Sequence, residues 1–174
     1  MLFVAPGRTG GIETYAKGLL KALCELRPTD QFIVFITRTG AEHFGFSSSN
    51  LRYVMTDAPL GNNRVLKNFY EQVVLPLKVA KERVDILHSL AYVGPIASLV
   101  PQVITIHDMN FYFKGHALHG VKATLLAWLC HLTAIRSRSV VAVSRFTKDE
   151  ISKFWPKVGR KTSVVYEGPG LTPI

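Results

Sequence analysis

Two kinds of residue in this chain have the type and spacing to do chemistry: a glycine-rich turn near the start, and polar residues that close apolar runs further along. The turn is Gly7-Arg8-Thr9-Gly10-Gly11-Ile12-Glu13, between the short apolar run Leu2-Phe3-Val4-Ala5 and a long amphipathic pattern. A helix entered through Gly10-Gly11 aims unpaired backbone N–H groups and the positive end of its dipole into the turn. With no side chain in the way, a phosphate comes close. The same glycines also serve a plain strand-to-helix turn, and the stretch alone leaves both readings open. The polar residues are Thr37-Arg38, His88, His107-Asp108, Ser144-Arg145 and Glu167-Gly168, each ending a run with strand character.

The elements that position these residues are legible as a pattern. Ile12, Tyr15, Ala16, Leu19, Leu20 and Leu23 fall at helical spacing, so a helix runs from the glycine turn to about Leu26, and Pro28 ends it. Strands are expected at Leu2–Ala5, 31–37, Leu51–Met55, 85–88, 103–108, 140–143 and 163–166, about seven in all. Gly40 to Asn50 and Asp57 to Asn63 read as loops, and Pro95 to Leu99 as a short helix. A helix over Val65 to Arg83 is interrupted or kinked at Pro76. Another, from about Leu118 to Ile135, is apolar nearly all round. Ser144 is an N-cap, Thr147-Lys148-Asp149-Glu150 offers a capping box, and Phe146, Ile151, Phe154 and Trp155 supply the apolar face before Pro156. Strands alternating with helices make an α/β fold with a doubly wound parallel sheet, Rossmann-like, whose ligands bind beyond the carboxyl ends of the strands. The polar residues fall at those ends.

Several chemistries are excluded. A nicotinamide fingerprint needs G-x-G-x-x-G and an acidic end to the second strand, whereas the glycines here are Gly7, Gly10 and Gly11 and that strand ends in Thr37-Arg38. Arg38 leaves a trace of an NADP-type site. There is no P-loop, no G-x-S-x-G elbow, and no Asp-x-Asp pair to hold a metal on a diphosphate. His116 and His119 stand at i, i+3 without a third ligand, so no metal is expected.

A chain of 174 residues, 48% hydrophobic and 19% charged, is one globular domain with a sizeable core. Its net charge of +9 is uneven: residues 1–113 carry 11 Lys+Arg against 9 Asp+Glu, and residues 114–166 carry 10 against 2. That skew points to an anionic partner, or to a solvated basic face. Cys24 and Cys130 sit in apolar helical contexts, which fits a reducing compartment and a cytoplasmic location. Met1 runs straight into the first strand, so no signal peptide is expected, and no segment is long enough for a membrane span.

Five motifs in order resemble the family-4 (group 1) retaining glycosyltransferases of GT-B fold. They are Gly10-Gly11-Ile12-Glu13-Thr14-Tyr15 with Leu19-Leu20-Lys21-Ala22-Leu23; Asp85-Ile86-Leu87-His88; Thr105-Ile106-His107-Asp108; Val141-Ala142-Val143-Ser144-Arg145-Phe146-Thr147-Lys148; and Val164-Val165-Tyr166-Glu167-Gly168. The family more often has Asn where Glu167 stands. The resemblance implies two Rossmann-like domains with the active site between them: an acceptor-side domain, here residues 1–170 with 171–174 opening the linker, and a donor domain supplied in cis or in trans. It further implies transfer of a hexosyl unit from a nucleotide-sugar to a glycan or lipid-linked acceptor in polysaccharide or cell-envelope biosynthesis, with no cofactor beyond the nucleotide-sugar and no nucleic-acid partner.

Carried over residue by residue, Gly10 and Gly11 with Arg8 would hold the donor diphosphate in place of a metal. His107 would hydrogen-bond the donor sugar as charge develops at the anomeric carbon, and Asp108 would orient the loop or His107 itself. His88, Ser144, Arg145 and Glu167 would line the cleft, His88 as a structural residue. Lys114, Lys122, Arg136, Arg138, Arg145, Lys148 and Lys153 with Phe111, Tyr112, Phe113 and Trp128 form a patch suited to an anionic membrane on its inner face, the charges more so than the aromatics, which read as core. Other readings stay open: a non-catalytic membrane- or partner-docking subunit of a two-chain transferase, a sugar-nucleotide epimerase fragment, and a basic α/β module for nucleic acid.

Overall fold

The computed structural model describes residues 10–56, 66, 69–112 and 121–168. The expected strand Leu2–Ala5, the loop at Asp57–Asn63, Arg8, Phe113, Lys114 and residues 171–174 lie outside them. The chain divides into two compact units, residues 1–60 with 167–174, and residues 61–166.

In the first unit, α1 (Gly10–Leu26) buries Glu13, Ala16, Leu20 and Cys24, one stripe at i, i+3, i+7 and i+11. Glu13 lies in the first turn, where the helix dipole favours a carboxylate, and pairs with Lys17 at 3.0 Å. The far end is closed from elsewhere: Asn50 Nδ2 donates to the carbonyls of Cys24 (3.2 Å) and Arg27 (3.1 Å). Strands β1 (Phe32–Ile36) and β2 (Leu51–Met55) pair in parallel from Phe32↔Leu51 to Ile36↔Met55. Between them the expected loop is in part a helix, α2 (Arg38–Phe44). Its signals sit at its two ends. Thr37 Oγ1 accepts from Gly40 N at 3.2 Å as N-cap, and Gly45, left-handed at φ 61°, closes the other end. Gly40 is required by packing, because a Cβ there would lie 2.9 Å from Ile36 Cγ1.

In the second unit a π-helix, Tyr70–Val74, runs directly into α3 (Leu75–Lys81). This is the interruption expected at Pro76. The proline has no N–H to give and its ring crowds the preceding turn, and the wider π-turn just before it accommodates both. Strands β3 (Leu87–Ser89), β4 (Gln102–Ile106), β5 (Ser139–Ala142) and β6 (Thr162–Val164) form a parallel sheet in that order. The registers are Leu87↔Gln102, Ile104↔Val140 and Val140↔Thr162.

The helix expected at Pro95–Leu99 is a turn. Gln72 holds that segment, its Nε2 donating to Gly94 O at 3.0 Å and its Oε1 accepting from Ile96 N at 2.8 Å. Gly94 itself packs so closely that a Cβ would fall 2.3 Å from Ser89 Oγ.

One face of this sheet carries α4 (Val121–Arg136), α5 (Arg145–Phe154) and α6 (Pro156–Gly159). Their Cys130, Ala134, Ile151 and Val158 meet Ile104, Ile106, Val140 and Ala142, with Met109, Phe111 and Trp155, in a single buried cluster. Helix α5 starts one residue after Ser144, whose Oγ accepts from Thr147 N, so the capping box expected from Thr147 does not form. Phe146, expected on the apolar face, is 71% exposed, because the core-facing stripe of α5 runs through Thr147 and Ile151.

Parallel strands alternating with helices fit a Rossmann-like α/β fold, with six strands among the described residues where about seven are expected. No helix among the described residues is long and apolar enough to cross a membrane.

Candidate functional site

The carboxyl end of β4 gathers hydrogen-bonded polar residues in the second unit. The strand stops at Ile106, so His107 and Asp108 stand just beyond it rather than within it, both half-buried. His107 Nε2 lies 2.9 Å from the carbonyl oxygen of Leu90. A carbonyl only accepts, so Nε2 carries the proton, and in the neutral ring Nδ1 is the acceptor nitrogen. The backbone of His107 is held as well. Thr147 Oγ1, buried at the start of α5, donates to His107 O at 3.0 Å, and Ser144 Oγ donates in turn to Thr147 Oγ1 at 2.9 Å.

Asp108 is bound on both oxygens. Oδ2 accepts from Tyr92 Oη at 2.6 Å, and Oδ1 accepts from Asn110 N at 2.8 Å, starting the 3₁₀ turn Asn110–Tyr112. The Tyr92 ring meets the His107 ring edge-on with centroids 6.0 Å apart, and it also meets Phe111 edge-on at 5.6 Å. Asp108 therefore fixes the loop and Tyr92, and Tyr92 packs on His107. Glu150 of α5 faces the same carboxylate; burial first, and then the nearby Asp108, push its acid above its ordinary value.

His88 does not end a strand as expected: it is the middle residue of β3. Its Nε2 lies 2.9 Å from Thr105 Oγ1 on β4, and burial pushes its pKa down to about 4, so the ring is neutral at physiological pH. Ser144 serves as N-cap of α5, and Arg145 after it is exposed. The second unit thus brings His107, Asp108, Ser144 and Arg145 to the carboxyl end of its two central strands, with His88 on the neighbouring β3.

In the first unit, Gly10 is the first residue of α1 with φ +41°, a conformation that side-chain-bearing residues rarely adopt. Gly10 and Gly11 are both exposed, and a Cβ on either would meet nothing within 4 Å. Arg8 is outside the described residues. Glu167 is exposed and follows β6, which stops at Val164.

Among the described residues no group of three His, Cys, Asp or Glu is placed to hold a metal ion. Of the aromatics read as core, Phe111 is buried, whereas Tyr112 is 42% and Trp128 56% exposed.

Sequence reasoning missed Tyr92, Thr147 and the Leu90 carbonyl as parts of this site. Tyr92 and Leu90 lie in the irregular segment after β3 and carry no local pattern. Thr147, three residues after a capping serine, had a usable signal: a small hydroxyl on the inward side of a first helical turn. A family model described as Glycosyltransferase Family 4 matches residues 9–169. No curated protein matches the chain.

Proposed function

The chain belongs to Glycosyltransferase Family 4, and on that premise we propose that it is the acceptor-side half of a GT-B enzyme moving a hexosyl unit from a nucleotide-sugar to a glycan or lipid-linked acceptor. The pathway is polysaccharide or cell-envelope biosynthesis, and the enzyme works in the cytoplasm, peripherally on the inner face of the membrane. A second domain, in cis or in trans, supplies the contacts to base, ribose and most of the diphosphate.

The observation that carries the reading is the held state of His107. Its Nε2–H is committed to Leu90 O, and Thr147 fixes its backbone. The ring is thereby held in one orientation just beyond the carboxyl end of β4, where it would meet the donor sugar. As the bond from the anomeric carbon to the diphosphate oxygen breaks, positive charge grows on the sugar ring, and a preoriented polar group stabilises it without reorganising. Asp108 is a positioning residue here, acting through Tyr92 and the 3₁₀ turn.

Negative charge grows on the departing diphosphate at the same time. The exposed Gly10-Gly11 start of α1, with Arg8, is suited to receive it through backbone N–H groups and the helix dipole, a role that other transferases give to a metal. The anomeric configuration is retained. Ser144, Arg145 and Glu167 are cleft residues in this reading, and His88 is structural.

The test is a product assay with UDP- and GDP-sugars and envelope glycan or lipid-linked acceptors, using the 174-residue chain alone and joined to a second domain. Turnover is expected only in the joined form. Each absent charge-assisted hydrogen bond is worth about 1.5–3 kcal/mol, so the lone chain should bind donor no better than about millimolar. Absence of transfer in both forms would overturn the reading.

A further inference from the structure

Helix α4 turns an apolar face outward. Its core side is Cys130, Thr133 and Ala134, all fully buried, followed by Ser137 just past its end. On the opposite side Leu125, Trp128 and Ile135 are 47%, 56% and 42% exposed, at i, i+3 and i+10 along one stripe that Leu132 completes. A helix lying on a sheet ordinarily shows charge on that side.

The sequence through this helix and its flanks carries charge of one sign. Residues 109–148 contain six Lys+Arg and no Asp or Glu. Arg136 and Arg138 are exposed at the carboxyl end of the stripe. They are not drawn in to cap the helix, because Lys161 Nζ donates to the carbonyls of Ile135 (2.7 Å) and Ser137.

We propose that the outward face of α4 docks on an anionic lipid surface, with Leu125, Trp128 and Ile135 entering the headgroup boundary and Arg136 and Arg138 meeting lipid phosphates. The inference deepens the membrane location proposed above and rests on it. Charge selects this occupant. A second copy would set like charges against each other, whereas an anionic leaflet complements both the cations and the apolar stripe. A tryptophan at the boundary suits its ring, which has an apolar body and one polar N–H.

The experiment uses the 174-residue chain with vesicles of equal parts phosphatidylglycerol and phosphatidylcholine, and of phosphatidylcholine alone. Of the two tryptophans, Trp155 is 3% exposed, so a change in emission reports Trp128. Co-sedimentation is expected with the anionic vesicles only, with a blue shift, and with quenching by lipids brominated in the acyl chain. Leu125→Ser should weaken binding roughly tenfold. Arg136→Ser and Arg138→Ser should each weaken it about fivefold at low salt.

No binding to the anionic vesicles, or binding without bromolipid quenching, overturns the proposal, and that readout needs no variant to fold. A dimer in sedimentation equilibrium that Trp128→Ser dissociates also overturns it, giving the face to a second copy. Transfer assays on the joined two-domain form, run in detergent, keep the two readings separate. Product without vesicle binding sinks the docking alone, and vesicle binding without product sinks the transferase alone.

Discussion

The Thr147 hydroxyl donates to the backbone carbonyl of His107 at 3.0 Å, tying the first turn of α5 to the end of β4. Thr147 also gives its own N–H to Ser144 Oγ, so one buried residue closes the helix and holds the site. In Thr147→Val the shape is kept and the hydroxyl is lost, leaving the His107 carbonyl without this donor. The expected cost is about 1–3 kcal/mol, read as a lower urea midpoint with an unchanged slope. An unchanged midpoint would mean that this hydrogen bond contributes nothing net.

His107→Ala separates chemistry from stability. The side chain bonds the Leu90 carbonyl and meets Tyr92 edge-on just beyond the end of β4, and losing it should cost folding about 1 kcal/mol. In the two-domain enzyme, with donor and acceptor saturating, kcat should fall about 10²–10³-fold, as when one preoriented transition-state partner is removed. Turnover near that of the parent would end the assignment of His107 to the sugar.

Regular elements were legible in the sequence wherever a local signal spanned the whole element. Helix α1, with its apolar spacing and Pro28 stop, and strand Leu51–Met55 are found where periodicity places them. Ser144 caps α5 as its residue type predicts. Pattern failed where long-range contacts decide. Gln72, 24 positions before Ile96, accepts the Ile96 N–H and donates to Gly94 O, which pins Pro95–Leu99 as a turn. Helix α2 is only 7 residues long, too short to show a period, and only its Thr37 and Gly45 ends mark it.

At the candidate site, motif register singles out His107 and Asp108, whereas their partners Leu90 and Tyr92 are 17 and 16 positions away. Pairings at that separation arise from the sheet bringing β3 and β4 together, and no local window contains them.

His88 makes stability depend on pH. Its pKa is about 4 in the folded chain and about 6.5 when unfolded. Between those values the unfolded chain binds more protons, so stability rises with pH there. The contribution is complete above about pH 6.5, falls as the pH drops through that window, and levels off below about 4. At the limit it amounts to about 3 kcal/mol. His88→Gln, which keeps a polar partner for Thr105, should flatten the slope between pH 4 and 6.5. Unfolding free energies of both proteins measured across that range, with an NMR titration of His88, check it. Equal slopes would show that His88 is not the titrating group.

Gly10 and Gly11 adjoin at the start of α1 but meet different constraints, and this allows folding to be separated from ligand binding. Gly10 has φ +41°, so Gly10→Ala should cost about 1 kcal/mol from backbone strain alone. Gly11 is helical without a positive φ, and a Cβ there meets nothing within 4 Å. Gly11→Ala should therefore leave the chain as stable or raise its stability by up to about 1 kcal/mol, since alanine is the better helix former. If a diphosphate rests on these N–H groups, the same methyl occupies the space it needs. Donor affinity of the two-domain enzyme should then fall at least tenfold while the melting temperature holds or rises. Calorimetric titration with the nucleotide-sugar, beside thermal melts of the same preparations, makes the comparison. Unchanged affinity in Gly11→Ala would leave the glycines as a turn and remove them from the donor site.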